Sequence, residues 1–292
     1  MLKRIAAAVA RRMARGAYHL LDACYVPLDR IQMRRARNIT RIPTEANRVG
    51  GKHAYAEWAH VIGIFQTLMH LHAAQKSGNR ILDVGCGTGL LAIASEPLLG
   101  TDGRYVGLDV SASDIAFCRR HYPAPAFAFA HLAINNPMYA PAQESSPLAW
   151  PVERAGFDLV TALSVWTHLS EPDALFAITE VSRALKPGGK AIITFFILDT
   201  AYERSVSRRT AEPGAFHLTP QNEWIFDQPA YGSDAWFCPQ WVRVPENAIG
   251  ITPAGMERLA STAGLKVLEM HPGNWKEAPG VYFQDVVVFQ KP

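Results

Sequence analysis

Ile81-Leu82-Asp83-Val84-Gly85-Cys86-Gly87-Thr88-Gly89 is the stretch whose reading decides the fold. Arg80 to Val84 is a short apolar run that predicts a buried strand, and Leu90 to Leu98 reads as a helix. Between them three glycines remove every Cβ that would keep a ligand off the backbone, at the carboxyl end of a strand where parallel sheets bind small molecules. Two competing turns fail on spacing. A GxGxxG fingerprint counted from Gly85 needs a glycine where Leu90 stands, and a phosphate-cradling GxxxxGK[ST] needs a lysine after Gly89.

Outward from the turn the chain alternates strand and helix. Tyr105 to Leu108 predicts a strand, and Ala112 to His121 a helix capped by Ser111 with Asp114. Phe127 to Ala130 reads as the third strand, the Pro-rich 137–151 as loop, and Phe157 to Leu163 as the fourth strand. Ser170 with Asp173 caps a helix running to Leu185. Lys186-Pro187-Gly188-Gly189 then forces a turn before a buried fifth strand, Lys190 to Leu198. Successive βα units imply parallel pairing. Thr252 to Ala263 predicts a further helix, with Lys266 to His271 and Tyr282 to Gln290 as the last two strands.

The glycine turn resembles the first motif of class I S-adenosylmethionine-dependent methyltransferases: an acidic residue, then alternate glycines, matched by Asp83, Gly85, Gly87 and Gly89. Asp109, closing Gly107-Leu108-Asp109, stands where that family binds ribose hydroxyls. Phe157-Asp158-Leu159-Val160, Leu185-Lys186-Pro187-Gly188-Gly189 and Gln284-Asp285-Val286-Val287-Val288 match later segments in order.

The resemblance implies an α/β, Rossmann-like, doubly wound and mostly parallel seven-stranded sheet with an antiparallel last strand. It implies S-adenosyl-L-methionine as cofactor, held by Asp83, Gly85, Cys86, Gly87, Gly89, Asp109, Val110, Asn135 and Ser164. One departure stands out. The family often places an acidic residue after the third strand to bond the adenine amino group, whereas this chain has His131-Leu132-Ala133. Either Asn135, His131 or a backbone carbonyl substitutes, or packing holds the adenine, or cofactor affinity is weak.

The implied activity is methyl transfer to a small-molecule or glycan/glycolipid acceptor, with a hydroxyl the expected nucleophile. The glycolipid expectation comes from a resemblance of Tyr55 to Gln66 and Trp275 to Gln290 to saccharide methyltransferases. A hydroxyl needs a general base, and His168, just past the fourth strand, is the first candidate; a structural imidazole bonded to a carbonyl is its alternative. His217, Asp199 and Glu223 are further candidates. A catalytically inactive cofactor-binding or interaction protein on the same fold is the competing function.

Two regions fall outside the resemblance, dividing the chain into an extension (1–75) and a methyltransferase domain (76–292) with a substrate-side insertion (199–250). Residues 1–48 hold eleven Lys/Arg against three Asp/Glu, whereas the rest holds 18 against 23. Leu2 to Leu20 reads as an amphipathic basic helix. It could lie on an anionic membrane, act as a presequence, or pack on the core. A longer helix from about Ala54 to Ala74 stands where it could lid the nucleotide site. In the insertion Trp224, Phe226, Trp236, Phe237 and Trp241 suggest either an acceptor pocket or a satellite core.

The four cysteines, Cys24, Cys86, Cys118 and Cys238, are scattered and form no zinc-spaced group, so no metal site is expected. The absence of any 18-residue apolar run and of a secretory signal points to a cytoplasmic protein, with the inner face of the membrane as the surface the arm would meet. Asn136-Pro137-Met138-Tyr139 is too distant from an Asn/Asp-Pro-Pro-aromatic motif to suggest nucleic acid as the substrate.

Overall fold

A computed structural model describes residues 2–32, 37–134 and 149–292. Seven strands form the central sheet: β1 (Arg80–Val84), β2 (Arg104–Asp109), β3 (Phe127–His131), β4 (Phe157–Ala162), β5 (Leu185–Phe195), β6 (Lys266–His271) and β7 (Asp285–Gln290). Their order is β3-β2-β1-β4-β5-β7-β6. β1 to β5 pair in parallel, and β7 runs antiparallel to both β5 and β6. The doubly wound sheet with a reversed last strand is thus the expected one.

Seven helices accompany the sheet among the described residues: α1 (Leu2–Gln32), α2 (Tyr55–His72), α3 (Leu90–Leu99), α4 (Ala112–His121), α5 (Glu171–Ala184), α6 (Thr200–Val206) and α7 (Pro253–Ala263). β1 and β4 are buried almost throughout, as strands covered on both faces must be. One core cluster joins α5 and α7 to one face through Ile178, Val181 and Leu259. The other joins α2, α3 and α4 to the opposite face through Phe65, Ile93 and Ile115. The caps read from sequence are present: Ser111 accepts from the Asp114 N–H at 3.3 Å and Ser170 from the Asp173 N–H at 3.4 Å.

Three expectations need correction. Lys186-Pro187-Gly188-Gly189 does not separate a helix from a strand but bulges within β5, where the register jumps from Phe157 opposite Leu185 to Leu159 opposite Lys190. The bulge holds because the Gly188 N–H reaches the Lys291 carbonyl at 2.9 Å and glycine tolerates its φ of 76°. The last strand starts at Asp285 rather than Tyr282, whose ring instead packs edge-on to Phe65 at 5.2 Å.

The N-terminal helix runs to Gln32 with Pro27 inside it, well beyond Leu20. Past Leu20 it is fastened by a buried ion pair, Asp22 to Arg48 at 2.7 Å, and by buried Val26. Other described apolar residues of the helix, Met13, Leu20, Leu28 and Ile31, are exposed.

The 199–250 region is ordered around a small antiparallel sheet of Gln228–Pro229, Trp236–Cys238 and Gly250–Ile251. Phe196 sits at the centre of its aromatic cluster, with ring centroids 5.0 Å from Trp224, 5.3 Å from Phe226 and 5.0 Å from Trp275. Lys276, nearly fully buried, binds Asp199 and Asp285 at 2.8 Å each and ties this cluster to the start of β7.

Candidate active site

The carboxyl ends of β1, β2 and β4 open into a cavity of about 940 Å³, lined by the glycine turn, Asp109, Val110, Ser164 and His168. That size suits a pair of small-molecule reactants. The turn is rigid. Gly85 and Cys86 both donate to the Leu108 carbonyl, at 2.8 and 3.0 Å, and the Gly89 N–H closes on the Cys86 carbonyl at 2.8 Å. Gly85 has φ 70°, and a Cβ there would run into Val165; Gly87 has φ 51°, and a Cβ there would lie 2.9 Å from Val49 Cγ2. Both positions therefore require glycine for conformation and for space.

Asp109 lies beside the turn. Its Oδ2 accepts from the Gly87 N–H at 2.7 Å and its Oδ1 from the Ser111 N–H at 2.8 Å. Two carboxylate oxygens offer about four acceptor sites, so capacity remains for two hydroxyls facing the cavity. Burial pushes this carboxyl up from its ordinary range, opposed by the bonds from Ser111 and Gly87. A cradle that only glycine fits, next to a carboxylate with acceptor capacity to spare, suits a nucleoside cofactor.

Asp83 also borders the cavity, at the end of β1. Its side chain is buried in the sheet, with Oδ2 accepting from the Tyr105 hydroxyl at 2.5 Å and Oδ1 from the Thr161 hydroxyl at 2.8 Å. One carboxyl thus braces β1 to β2 and β4 beneath the turn. Desolvation pushes it up to about 7, against the lowering effect of both hydroxyls. Cys86 likewise turns its thiol away, packing under the turn near Gly107 and Cys118, so only its backbone is available to a ligand.

Ser164 holds a strained backbone, φ 59° for a residue with a Cβ. It is pinned from three sides: its N–H donates to Thr194 at 2.7 Å, and its hydroxyl lies 3.3 Å from that of Thr167 and accepts from Gln284 at 2.9 Å. Gln284 in turn accepts from Thr194 at 2.7 Å. Neither Thr194 nor Gln284 was singled out by sequence, because their role arises only where β5 and the chain before β7 meet the β4 turn.

His168 follows in the same loop. Its Nδ1 lies 2.7 Å from the Glu246 carbonyl, which can only accept, so Nδ1 carries the proton and Nε2 is the basic nitrogen. Burial lowers its basicity, keeping the ring neutral near pH 7. Glu246 is itself buried and accepts both oxygens' bonds from the Tyr231 hydroxyl, at 2.8 and 2.9 Å. Tyr231 and Glu246 both line the cavity. They were missed because no local pattern marks them.

The other candidate bases lie elsewhere. His217 is paired with Glu277 at 2.7 Å, Asp199 caps α6 and binds Lys276, and neither they nor Glu223 line the cavity. Of the aromatics of 199–250 named from sequence, Trp224, Phe226 and Phe237 belong to the satellite cluster, Trp236 to the main core, and Trp241 is partly exposed; none lines the cavity. Past β3 the described cavity wall is Leu132 and Ile134. His131 bonds the Val110 carbonyl at 3.0 Å, and Asn135 lies outside the described residues. Val49 to Lys52 and Trp58 close another side of the cavity.

Comparison with known proteins agrees with this geometry. Residues 81–189 match the family model of the methyltransferase domain. The chain is 33% identical over 118 residues to a ubiquinone biosynthesis O-methyltransferase of Bradyrhizobium sp. (strain ORS 278), covering 40% of each chain. It is 29% identical over 170 residues to a demethylmenaquinone methyltransferase of Lactiplantibacillus plantarum, covering 57% of this chain and 60% of the relative. The matched part of the chain thus spans 40 to 60% of the length of these two relatives. Among solved structures, an S-adenosylmethionine dependent methyltransferase from Mesorhizobium loti superposes with a TM-score of 0.50 at 15% identity, covering 77% of this chain and 96% of that one. The PH0226 protein from Pyrococcus horikoshii does so with a TM-score of 0.50 at 15% identity, covering 81% and 92%. The fold is that of the class I S-adenosylmethionine-dependent methyltransferases. Within it, residues 81–189 are the part that is similar to the methyltransferase domain family.

Proposed function

We propose that this protein transfers the methyl group of S-adenosylmethionine to a hydroxyl of a small acceptor. One observation carries the reading: a single cavity brings together the glycine turn, Asp109 and His168. Bound there, S-adenosylmethionine supplies an electrophilic methyl on a sulfonium. Gly85 and Gly87 offer it backbone at close range, whereas Gly89 backs onto Tyr122; Asp109 accepts from its ribose hydroxyls, and Leu132 and Ile134 hold adenine by packing. Val110 and Ser164 line the same cavity, and Val49 to Lys52 with Trp58 act as a lid that excludes water.

His168 then takes the acceptor's proton on Nε2 while its Nδ1–H stays on the Glu246 carbonyl, which fixes ring and tautomer. Trp58, Trp150 and Phe176 give the cavity flat apolar walls, which favour a ring-bearing acceptor. The relatives named for ubiquinone and demethylmenaquinone chemistry point the same way. The exposed apolar residues of α1, beside Arg12 and Arg15, support peripheral contact with anionic lipid.

The test is calorimetric titration of S-adenosylmethionine into the wild type and Asp109→Ala, followed by an acceptor screen of phenols, quinols and glycolipids. Loss of two charge-assisted hydrogen bonds weakens binding by at least tenfold in the variant. Absence of binding to a folded wild type would leave an inactive scaffold as the better reading. Turnover of glycolipids but not phenols would move the acceptor to the saccharide class.

A further inference from the structure

Away from the cavity, the end of α2 meets one face of the edge strand β6. Glu269 and His271 are two residues apart on β6, so their side chains share a face of the sheet. His72, in the last turn of α2, reaches the same point. One donor atom from each of the three, imidazole nitrogen or carboxylate oxygen, falls within 4.8 Å of the other two. We infer that His72, Glu269 and His271 form a binding site for a divalent transition metal of the zinc type.

The unmet bonding of the two imidazoles is the first argument. His72 is 5% exposed, yet its Nε2 has no hydrogen-bond partner among the described residues, and the buried Nε2 of His271 has none either. A buried polar atom without a partner costs about 1–3 kcal/mol, and two aimed at one carboxylate mark a place where a ligand would satisfy both.

The spacing is the second argument. Glu269 Oε2 lies 3.6 Å from His72 Nε2 and 3.4 Å from His271 Nε2. Neither contact forms a hydrogen bond. Two ligands at zinc distances of about 2.0–2.1 Å and a tetrahedral angle lie about 3.4 Å apart, so both pairs that share Glu269 already stand close to the width a metal demands.

The chemistry selects the ion. Two imidazoles and one carboxylate suit zinc and its neighbours, whereas magnesium and calcium favour all-oxygen shells. Glu269 is half exposed, which leaves the fourth position open to water. None of the three residues lines the large cavity, so the ion would act as a clip. It would fasten β6 to the helix that carries Trp58, and it would stabilise the fold by binding only the folded state.

The test uses tag-free, chelator-stripped protein titrated with Co²⁺ and watched by visible absorption, then with Zn²⁺ by calorimetry and thermal melting. The expected result is one equivalent of Co²⁺ with a tetrahedral d–d spectrum, and a melting temperature raised by Zn²⁺. His72→Ala, His271→Ala and Glu269→Gln should each weaken binding by more than about tenfold, while His60→Ala, on the neighbouring surface of α2, leaves it unchanged. Glu269→Gln, at a half-exposed position, serves if a histidine variant fails to fold. No Co²⁺ spectrum at millimolar metal, or binding unaltered by Glu269→Gln, would overturn the assignment.

Discussion

Asp83→Asn isolates a charge that the fold holds at unusual cost. In the native protein this carboxyl is fully enclosed and receives bonds from Tyr105 and Thr161, yet desolvation carries it from 3.8 to about 7. The folded state therefore binds the proton more tightly than the unfolded chain. The stability so gained is fully present below pH about 4 and is lost as pH rises through about 7, a total near 4 kcal/mol. Asparagine keeps the size and one acceptor but does not titrate. Its amide meets a hydroxyl that preferred an acid, a pH-independent cost of about 1–2 kcal/mol. Urea denaturation of both proteins between pH 5 and 8.5 measures the difference, in which all other titrating groups cancel. The variant should gain on the wild type by up to about 1.4 kcal/mol per pH unit below pH 6.5, with the difference flat above about pH 8. Parallel curves would refute the argument, since they would mean that Asp83 ionises in the fold as it does in the unfolded chain.

Three further outcomes follow from the site and its supports. His168→Ala should lower kcat by about 10²–10⁴ with S-adenosylmethionine affinity retained; since burial lowers the ring's basicity, the acid limb of the wild-type kcat profile should fall below pH 6.5 and vanish in the variant. Gln284→Leu removes the bridge between Thr194 and Ser164, releasing the strained turn, so kcat/KM should drop while the melting temperature changes by only a few degrees. Lys276→Met leaves Asp285 buried without its cation and should cost about 3–5 kcal/mol in denaturant unfolding.

The parts of the fold that were legible in sequence are those governed by local rules. Arg80–Val84, Ala112–His121 and Lys266–His271 have the bounds that periodicity, capping and apolar runs set for them. Lys186 to Gly189 misled because a turn-forming sequence can also be a bulge, and the choice is made by the Lys291 carbonyl, about a hundred residues away. The first helix runs on through Pro27, past the Leu20 at which its amphipathic pattern ends, and the Asp22–Arg48 pair fastens that stretch. For the site, the glycine turn and Asp109 were readable from spacing. Tyr231, Glu246, Thr194 and Gln284 were not, because each acts through a partner brought near only by sheet order or by the 199–250 region.

That division follows chemistry. The half of the cavity made by the turn and Asp109 presents backbone groups and one carboxylate, which suit one cofactor and leave little room for variation. The other half joins Trp150 and Phe176 to Val49 to Lys52, Trp58, Tyr231 and Glu246, and these last lie outside the 81–189 segment that matches the methyltransferase domain model. The two halves meet at His168, which the β4 turn presents but whose ring is oriented by the Glu246 carbonyl at 2.7 Å. The carboxylate of Glu246 is in turn fixed by Tyr231, itself held at a strained φ of 52°. Changes in the insertion that reshape the acceptor wall therefore also re-aim the candidate base. On the proposed function, this coupling ties acceptor choice to proton removal through 231–246 and leaves cofactor binding to the turn.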